Sequence, residues 1–240
     1  MIKIIYDEEN LAILDKPAGI SMHPPTPNQK TSRRTSPATV ADFMIKRFSE
    51  IKKEHWENPE RAGIVHRLDQ DTSGLVIIAK NPIALQKLQG EFKKHAVQKQ
   101  YTALVFGKPS PEKGTIDIAL QRDQDKSKMK VAYLKNQQSK RATTEYKVIK
   151  YYPEKNVSLL EINPETGRMH QIRVHLKYLG HPIIGDQVYF NKASKKLSEK
   201  LGLTRQFLHA SKLSFTDPMT NKKMNFSSEL PNDLKLLINS

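Results

Sequence analysis

The chain has 240 residues and carries 40 Lys+Arg against 25 Asp+Glu, a formal charge of +15 that favours a polyanionic partner, nucleic acid first, over a merely basic surface. With no cysteine it excludes disulfides, thiolate metal sites and a cysteine nucleophile. No apolar run approaches the roughly 18 residues of a membrane helix, and Met1–Tyr6 has no signal-peptide layout, so a soluble, cytoplasmic protein is expected.

Ile2–Tyr6 and Leu11–Leu14, separated by Asp7-Glu8-Glu9-Asn10, predict a β-hairpin. Asp15-Lys16-Pro17-Ala18-Gly19 then reads as a turn. Met22–Pro37, with prolines at 24, 25, 27 and 37 and the cluster Lys30-Thr31-Ser32-Arg33-Arg34, reads as an exposed basic loop. Apolar residues at 40, 43, 44, 45, 48 and 51 have helical spacing, and a second basic loop follows over Lys52–Arg61. The apolar runs Ala62–Val65 and Leu75–Ala79 flank a polar loop, His66–Gly74, with β-like character on both sides. Asn81-Pro82 predicts a helix start, Asn as cap and Pro in the first turn, with the helix running to about His95.

Val97–Phe106, Thr115–Leu120, Lys130–Tyr133, Thr143–Tyr152 and Val157–Ile162 read as strands, with Arg122–Lys128 a charged loop. Met169, Ile172, Leu176 and Leu179 step by 3, 4 and 3, a helical stripe that would start near Thr166 as cap and stop at Gly180. Beyond it come short strands at Pro182–Ile184, Phe207–Phe215 and Lys223–Phe226. A basic helix is expected over Lys192–Leu201 and a closing helix over Asp233–Ile238. No repeat or linker stands out, and the sum is an α+β fold with a largely antiparallel sheet.

Two segments carry the chemistry. In His66-Arg67-Leu68-Asp69-Gln70-Asp71-Thr72-Ser73-Gly74, turn and cap preferences account for Asp71 to Gly74 but not for His-Arg-Leu-Asp. In the helix expected from Thr166, Arg168 falls in the first turn, where a cation opposes the helix dipole by about 0.3–1 kcal/mol. An arginine so placed either has an anionic partner or packs its stem along the stripe. Metal readings fail on spacing. His170 and His175 lie about 140° apart around a helix, and the calcium-loop match at Asp69-x-Asp71-x-Ser73-Gly74 meets Lys80 where a bidentate Glu belongs. No Gly-rich phosphate loop or Gly-x-Ser-x-Gly elbow is present. What remains is a site on RNA or DNA, free of cofactor and metal, with a carboxylate as the reactive group. An aspartate paired with an arginine stays ionised and can act as nucleophile or base.

His66-Arg67-Leu68-Asp69-x-x-Thr72-Ser73-Gly74 resembles the signature of the RluA-type pseudouridine synthases. Five further segments follow in that family's order: Asp15–Gly19, Lys99-Gln100-Tyr101, Thr166–His175, Gly180–Asp186 and Leu208-His209-Ala210. The resemblance implies a mixed, mostly antiparallel sheet with flanking helices and a central active-site cleft. It implies isomerisation of selected uridines in rRNA or tRNA to pseudouridine, with RNA as partner; nothing in the sequence demands more than a monomer. By matching position Asp69 is the essential carboxylate, whether it attacks the sugar, attacks the base or removes the C2′ proton. Arg168 would be its ion-pair partner, Tyr101 would stack on the uracil, and Arg67 would fill the space left by the flipped-out base. His66, Thr72, Ser73, Lys99, His170, Gln171 and Arg173 are assigned to RNA binding or to shaping the site, with Lys16 structural.

Many relatives carry an S4-type RNA-binding domain first. Here the first expected strand begins at Ile2, so a single catalytic domain over 1–240 is expected, with the two basic loops sharing in RNA docking. The competing classes are a non-catalytic RNA-binding protein that kept the fold and a metal-dependent nuclease. The presence of Asp69, Tyr101 and Arg168 disfavours the first, and the lack of a larger carboxylate cluster disfavours the second.

Overall fold

The computed structural model describes residues 1–24, 39–125, 127–133 and 137–239, apart from the side chains of Lys53 and Asn239. Of the basic loop Met22–Pro37, residues 25–37, with the whole Lys30–Arg34 cluster, lie outside the described residues. In chain order the elements are β1 (Lys3–Asp7), β2 (Leu11–Lys16), α1 (Val40–Arg47), β3 (Ser73–Ala79), α2 (Pro82–Lys93), β4 (Gln98–Phe106), β5 (Lys113–Asp117), β6 (Leu120–Arg122) and β7 (Met129–Val131). They continue with β8 (Thr143–Tyr152), β9 (Val157–Pro164), α3 (Gln171–Tyr178), α4 (Lys192–Lys200), β10 (Leu208–Thr216), β11 (Lys223–Ser227) and α5 (Asn232–Asn239). The fold is α+β and its strands pair mostly antiparallel.

The chain divides into two compact units, Met1–Val97 with Lys212–Glu229, and Gln98–Ser211 with Leu230–Ser240. In the first, β1 pairs with β2 and β2 with β3, while β11 pairs with the Lys212–Thr216 part of β10. All seven residues of β3 are buried, which explains its unbroken apolar run Leu75–Ala79. Leu11, Ile13, Leu75, Ile77 and Leu88 form the centre of this core, α2 supplying Leu88. Burial of each such side chain stabilises the unit by about 1.5–3 kcal/mol. The α2 start is as the sequence predicts, with the Asn81 side chain accepting from the Ala84 amide at 2.9 Å and Pro82 in the first turn. In the second unit β4, β9, β8 and β5 run in that order, each neighbour antiparallel, and β6 and β7 form a separate small hairpin.

Several expectations are corrected. The apolar spacing over Val40–Ile51 is one α-helix to Arg47 and then a short 3₁₀ turn, Ser49–Lys53, because the α1 capping box at Thr39/Asp42 sets the helix and Phe48 ends it in extended backbone. Thr115–Leu120 is not one strand but the end of β5 and the start of β6. Ala62–Val65 and Pro182–Ile184 make only isolated bridges, Ile64 to Ile78 and Ile183 to Val105. The correction that bears on chemistry is at Thr166, where no helix begins. The first helical residue of α3 is Gln171, and His170 ahead of it sits in left-handed backbone at φ 53°. Arg168 therefore lies in the loop before α3, and the dipole argument for its partner does not apply. The cause is local: the Gln171 side-chain oxygen accepts from the Arg168 amide at 2.9 Å and from the Thr166 hydroxyl at 2.7 Å, which holds these residues in a turn.

Candidate active site

In the first unit, the Asp69 loop is fastened from below by a lysine. Lys16, at the end of β2, is fully buried, and its ammonium donates to the carbonyls of Pro17, Ile20 and Gln70, each at 2.9 Å. A buried charge needs such compensation, and here the compensation joins two loops. The Gly19 amide donates to the Gln70 carbonyl at 3.0 Å, and the Gln70 side-chain Nε2 donates back to the Gly19 carbonyl at 3.3 Å. The Asp15–Gly19 turn thus becomes the support of the residue next to Asp69.

The loop is also closed on itself and roofed. The Thr72 amide donates to the Asp69 carbonyl at 3.1 Å, and Thr72 and Ser73 are buried. Leu68 points into the core while Asp69 is half-buried and Arg67 exposed. His66 does not face outward as a reactive group. Its Nε2 accepts from the Ile77 amide at 3.0 Å and its ring stacks on Phe92 at 4.6 Å between centroids. That bond assigns the proton to Nδ1. The entering strand is equally fixed: a Cβ at Gly63, whose φ is +70°, would stand 2.2 Å from the Ala79 carbonyl oxygen, so no side chain fits. Lys80, which ended the calcium reading, donates instead to Asp7 and Glu50 at 2.9 Å. Among the described residues no cluster of three or more His, Asp or Glu is placed to hold a metal ion.

The second unit presents the remaining candidates. Tyr101 is buried in β4 opposite Ile162 of β9. Lys99, two residues earlier, is half-buried, and that burial pushes its ammonium below the ordinary lysine value. Its Nζ lies 3.9 Å from the position a Cβ would take on Gly167, so Lys99 and the Arg168 loop are neighbours. Arg168 is exposed, and its Nε donates to the Arg141 carbonyl at 3.1 Å.

Gln171 holds that loop. Besides accepting from Thr166 and Arg168, its Nε2 donates to the Thr143 carbonyl and the Thr144 hydroxyl, both at 3.0 Å. One buried amide therefore fills its four hydrogen-bonding positions, joining the loop to β8. Arg173 is likewise inside the protein rather than on a surface that meets RNA. It forms a two-point ion pair with Asp186 at 2.7 and 2.9 Å and lies over the Tyr189 ring. Burial alone would push the Asp186 carboxyl up, but the Arg173 hydrogen bonds and charge, with the Tyr189 and Val188 amides, outweigh it and hold it below the usual carboxylate value. The Met129 amide donates to the Tyr189 hydroxyl at 2.7 Å, leaving the hydroxyl proton for His170 Nδ1 at 2.8 Å.

Thus His66, Arg67, Asp69, Thr72 and Ser73 lie in one unit, on a loop that Lys16 holds at Gln70, and Lys99, Tyr101, Arg168, His170, Gln171 and Arg173 lie in the other. Sequence reasoning gave no role to Asp186 and Tyr189, which complete the Arg173 and His170 contacts. Asp186 closes the family-like segment Gly180–Asp186, which marks the residue without naming its partner, and Tyr189 has no signal.

The model of RNA pseudouridylate synthases matches residues 10–178. Over 98% of its length the chain is 37% identical to the ribosomal large subunit pseudouridine synthase D of Zymomonas mobilis, of which it covers 71%. It is also 37% identical over 96% of its length to the protein of the same name from Borreliella burgdorferi, covering 65% of that protein. Among solved structures, human RNA pseudouridylate synthase domain containing 4 superposes with a TM-score of 0.73 at 26% identity, over 98% of this chain and 91% of that one. Human RNA pseudouridylate synthase domain containing 1 gives 0.75 at 23% identity, over 99% and 87%, a likeness of fold. With the sequence signature seated on a rigid loop and the match running through both units, the chain belongs to the RNA pseudouridylate synthase family.

Proposed function

We propose that this pseudouridine synthase acts on uridines of ribosomal RNA, those of the large subunit, with Asp69 as its essential carboxylate. Support for the substrate comes from the 37% identity over nearly the whole chain to the Zymomonas mobilis large-subunit enzyme. The observation that carries the assignment of Asp69 is the construction of its loop. A half-buried carboxylate stands between a buried leucine and a Gln70 carbonyl clamped by Lys16.

The reaction is an isomerisation. The N1–C1′ bond of uridine breaks, the uracil turns, C5 bonds to C1′, the C5 proton is lost and N1 takes up a proton, so no cofactor or metal is consumed. Asp69 opens this sequence at C1′, at the base or at the C2′ proton. Tyr101 stacks on the uracil, Arg168 serves as the ion-pair partner of Asp69, and Arg67, exposed beside Asp69, fills the stack vacated by the flipped base. Lys99 and Gln171 shape the Arg168 loop, and the two units act as one catalytic domain in a cytoplasmic monomer. Release of tritium from C5-labelled ribosomal RNA measures the reaction. Asp69→Asn should abolish release at unchanged fold, and full activity in that variant with EDTA present would falsify the assignment.

A further inference from the structure

We propose that α4 is an RNA-docking helix, whose Lys192, Lys196 and Lys200 hold the phosphodiester backbone of the substrate away from the target uridine. The proposal rests on RNA being the substrate and adds a surface that the catalytic loops do not include. The helix Lys192–Lys200 carries four lysines and one glutamate, and all four lysines are exposed. Lys192, Lys196 and Lys200 recur every fourth residue, so they form one stripe with charges about 6 Å apart along the axis. Such spacing suits successive phosphates.

Only Lys200, in the last turn, is placed where the helix dipole favours a cation; the rest of this charge arrangement does not serve the helix itself. Lysines four apart repel on a helix surface. The first turn has no acid, and Lys192 at the first helical position opposes the dipole. Lys195 lies over the Phe190 ring at 5.2 Å, and among the described residues none of the stripe lysines closes an ion pair with Glu199 or another acid. The outward face also lacks the apolar side chains by which a basic helix inserts into a membrane surface. A polyanion that brings its own phosphates fits all of these features.

The inner face fixes the stripe rigidly. The Asn191/Ser194 capping box begins the helix, and the Ser198 hydroxyl donates to the Ser194 carbonyl at 2.7 Å while accepting from the Gly185 amide at 2.8 Å. Gly185, at φ +81°, backs onto the Arg205 carbonyl so closely that a Cβ would lie 1.9 Å from its oxygen. The next residue, Asp186, is the partner of Arg173 in α3. Within the second unit the lysine stripe is therefore tied, through Gly185 and Asp186, to the helix that follows the Arg168 loop.

The test compares the wild-type chain with the triple variant Lys192→Gln, Lys196→Gln, Lys200→Gln on in vitro transcribed large-subunit ribosomal RNA. A control variant, Lys3→Gln, Lys87→Gln, Lys93→Gln, removes the same charge elsewhere. The triple variant should bind roughly tenfold or more weakly at about 50 mM salt, with a salt slope lower by about 2–3. In tritium release KM should rise at unchanged kcat, and the melting temperature should not fall. Unchanged affinity and slope, an equal loss in the control, or a lowered melting temperature would overturn the proposal. If the wild type releases no tritium from this RNA, the functional reading fails, while the affinity comparison still decides the role of α4.

Discussion

The two loops that present the candidate residues are built in opposite ways. The Asp69 loop rests on a buried cation that meets three backbone carbonyls from Pro17, Ile20 and Gln70. The Arg168 loop rests on a neutral amide, Gln171, that both donates and accepts, with an Arg173–Asp186 ion pair two residues further along α3. A charge against carbonyls is insensitive to protons over the range in which lysine stays charged. A network of an amide, hydroxyls and a histidine has a partner whose ordinary value lies near neutrality and which burial pushes down. The two supports should therefore fail under different substitutions and different pH.

The largest effect is expected at Arg173. Replacing it by methionine leaves Asp186 buried without its cation, and breaking one side of such a pair lowers stability by about 3–5 kcal/mol. The pH dependence follows from the direction of the Asp186 shift. Its carboxyl is held below the usual value, so its contribution is complete above the unfolded carboxylate pKa of about 4 and is lost as pH falls through the lower folded value. In Arg173→Met the opposing interaction is gone and burial acts against the charge, so the acid unfolding transition should move to higher pH. Urea denaturation at several pH values checks both the loss and the displacement. A transition that stays at the wild-type pH would mean that the ion pair does not govern Asp186.

Lys16 comes next. In Lys16→Met the apolar stem is kept, but three part-buried carbonyls lose a donor, that of Gln70 keeping only the Gly19 amide, a loss of about 2–4 kcal/mol. Because Gln70 is one of the three, the variant should lose activity beyond its loss of folded protein, with the defect in kcat. The comparison sharpens if Arg173→Met, assayed under folding conditions, loses less kcat per unit of stability than Lys16→Met. Equal losses would show that the two supports are interchangeable as stability elements and that Lys16 has no special relation to the Asp69 loop.

These two residues also show what could be read from the sequence. The candidate residues could be proposed because residue type and order are enough for a signature: Asp69, Tyr101 and Arg168 stand in segments whose sequence is specific. The hairpin, α2 and most strands were legible from local period and from Asn81-Pro82. The support of the Arg168 loop was not. Periodicity at Met169, Ile172 and Leu176 fits a helix from Thr166 equally well, and only the Gln171 side chain, folding back on Thr166 and Arg168, delays the helix to Gln171. Arg173 was placed with RNA binding or site shaping because a lone arginine on a polar face carries no sign of its partner. Asp186 is thirteen residues away and is joined to it only by tertiary structure.

The smallest effect discriminates most finely between the loops. Gln171 Nε2 donates to the Thr144 hydroxyl, which lies 2.9 Å from His175 Nδ1, and His175 Nε2 lies 3.1 Å from the Ile118 carbonyl. A carbonyl can only accept, so Nε2 carries the proton and Nδ1 accepts from Thr144. Burial pushes the His175 imidazolium down from its ordinary 6.5, against the partial opposition of the Ile118 carbonyl and the Asp117 charge. Between the folded value and 6.5 the unfolded chain therefore binds more protons, so stability rises with pH through that window and is complete above it. Protonation at Nδ1 would place two donors face to face and turn the Thr144 hydroxyl away, loosening the network that holds Arg168. Hydrogen exchange at the Arg168 amide, which is bonded to Gln171, should speed up as pH falls below 6.5, after correction for the intrinsic rate. The Gly19 amide, bonded to the Gln70 carbonyl on the Lys16 side, should show no such change. If both amides respond alike, the proton acts on the whole fold and the proposed independence of the two supports is wrong.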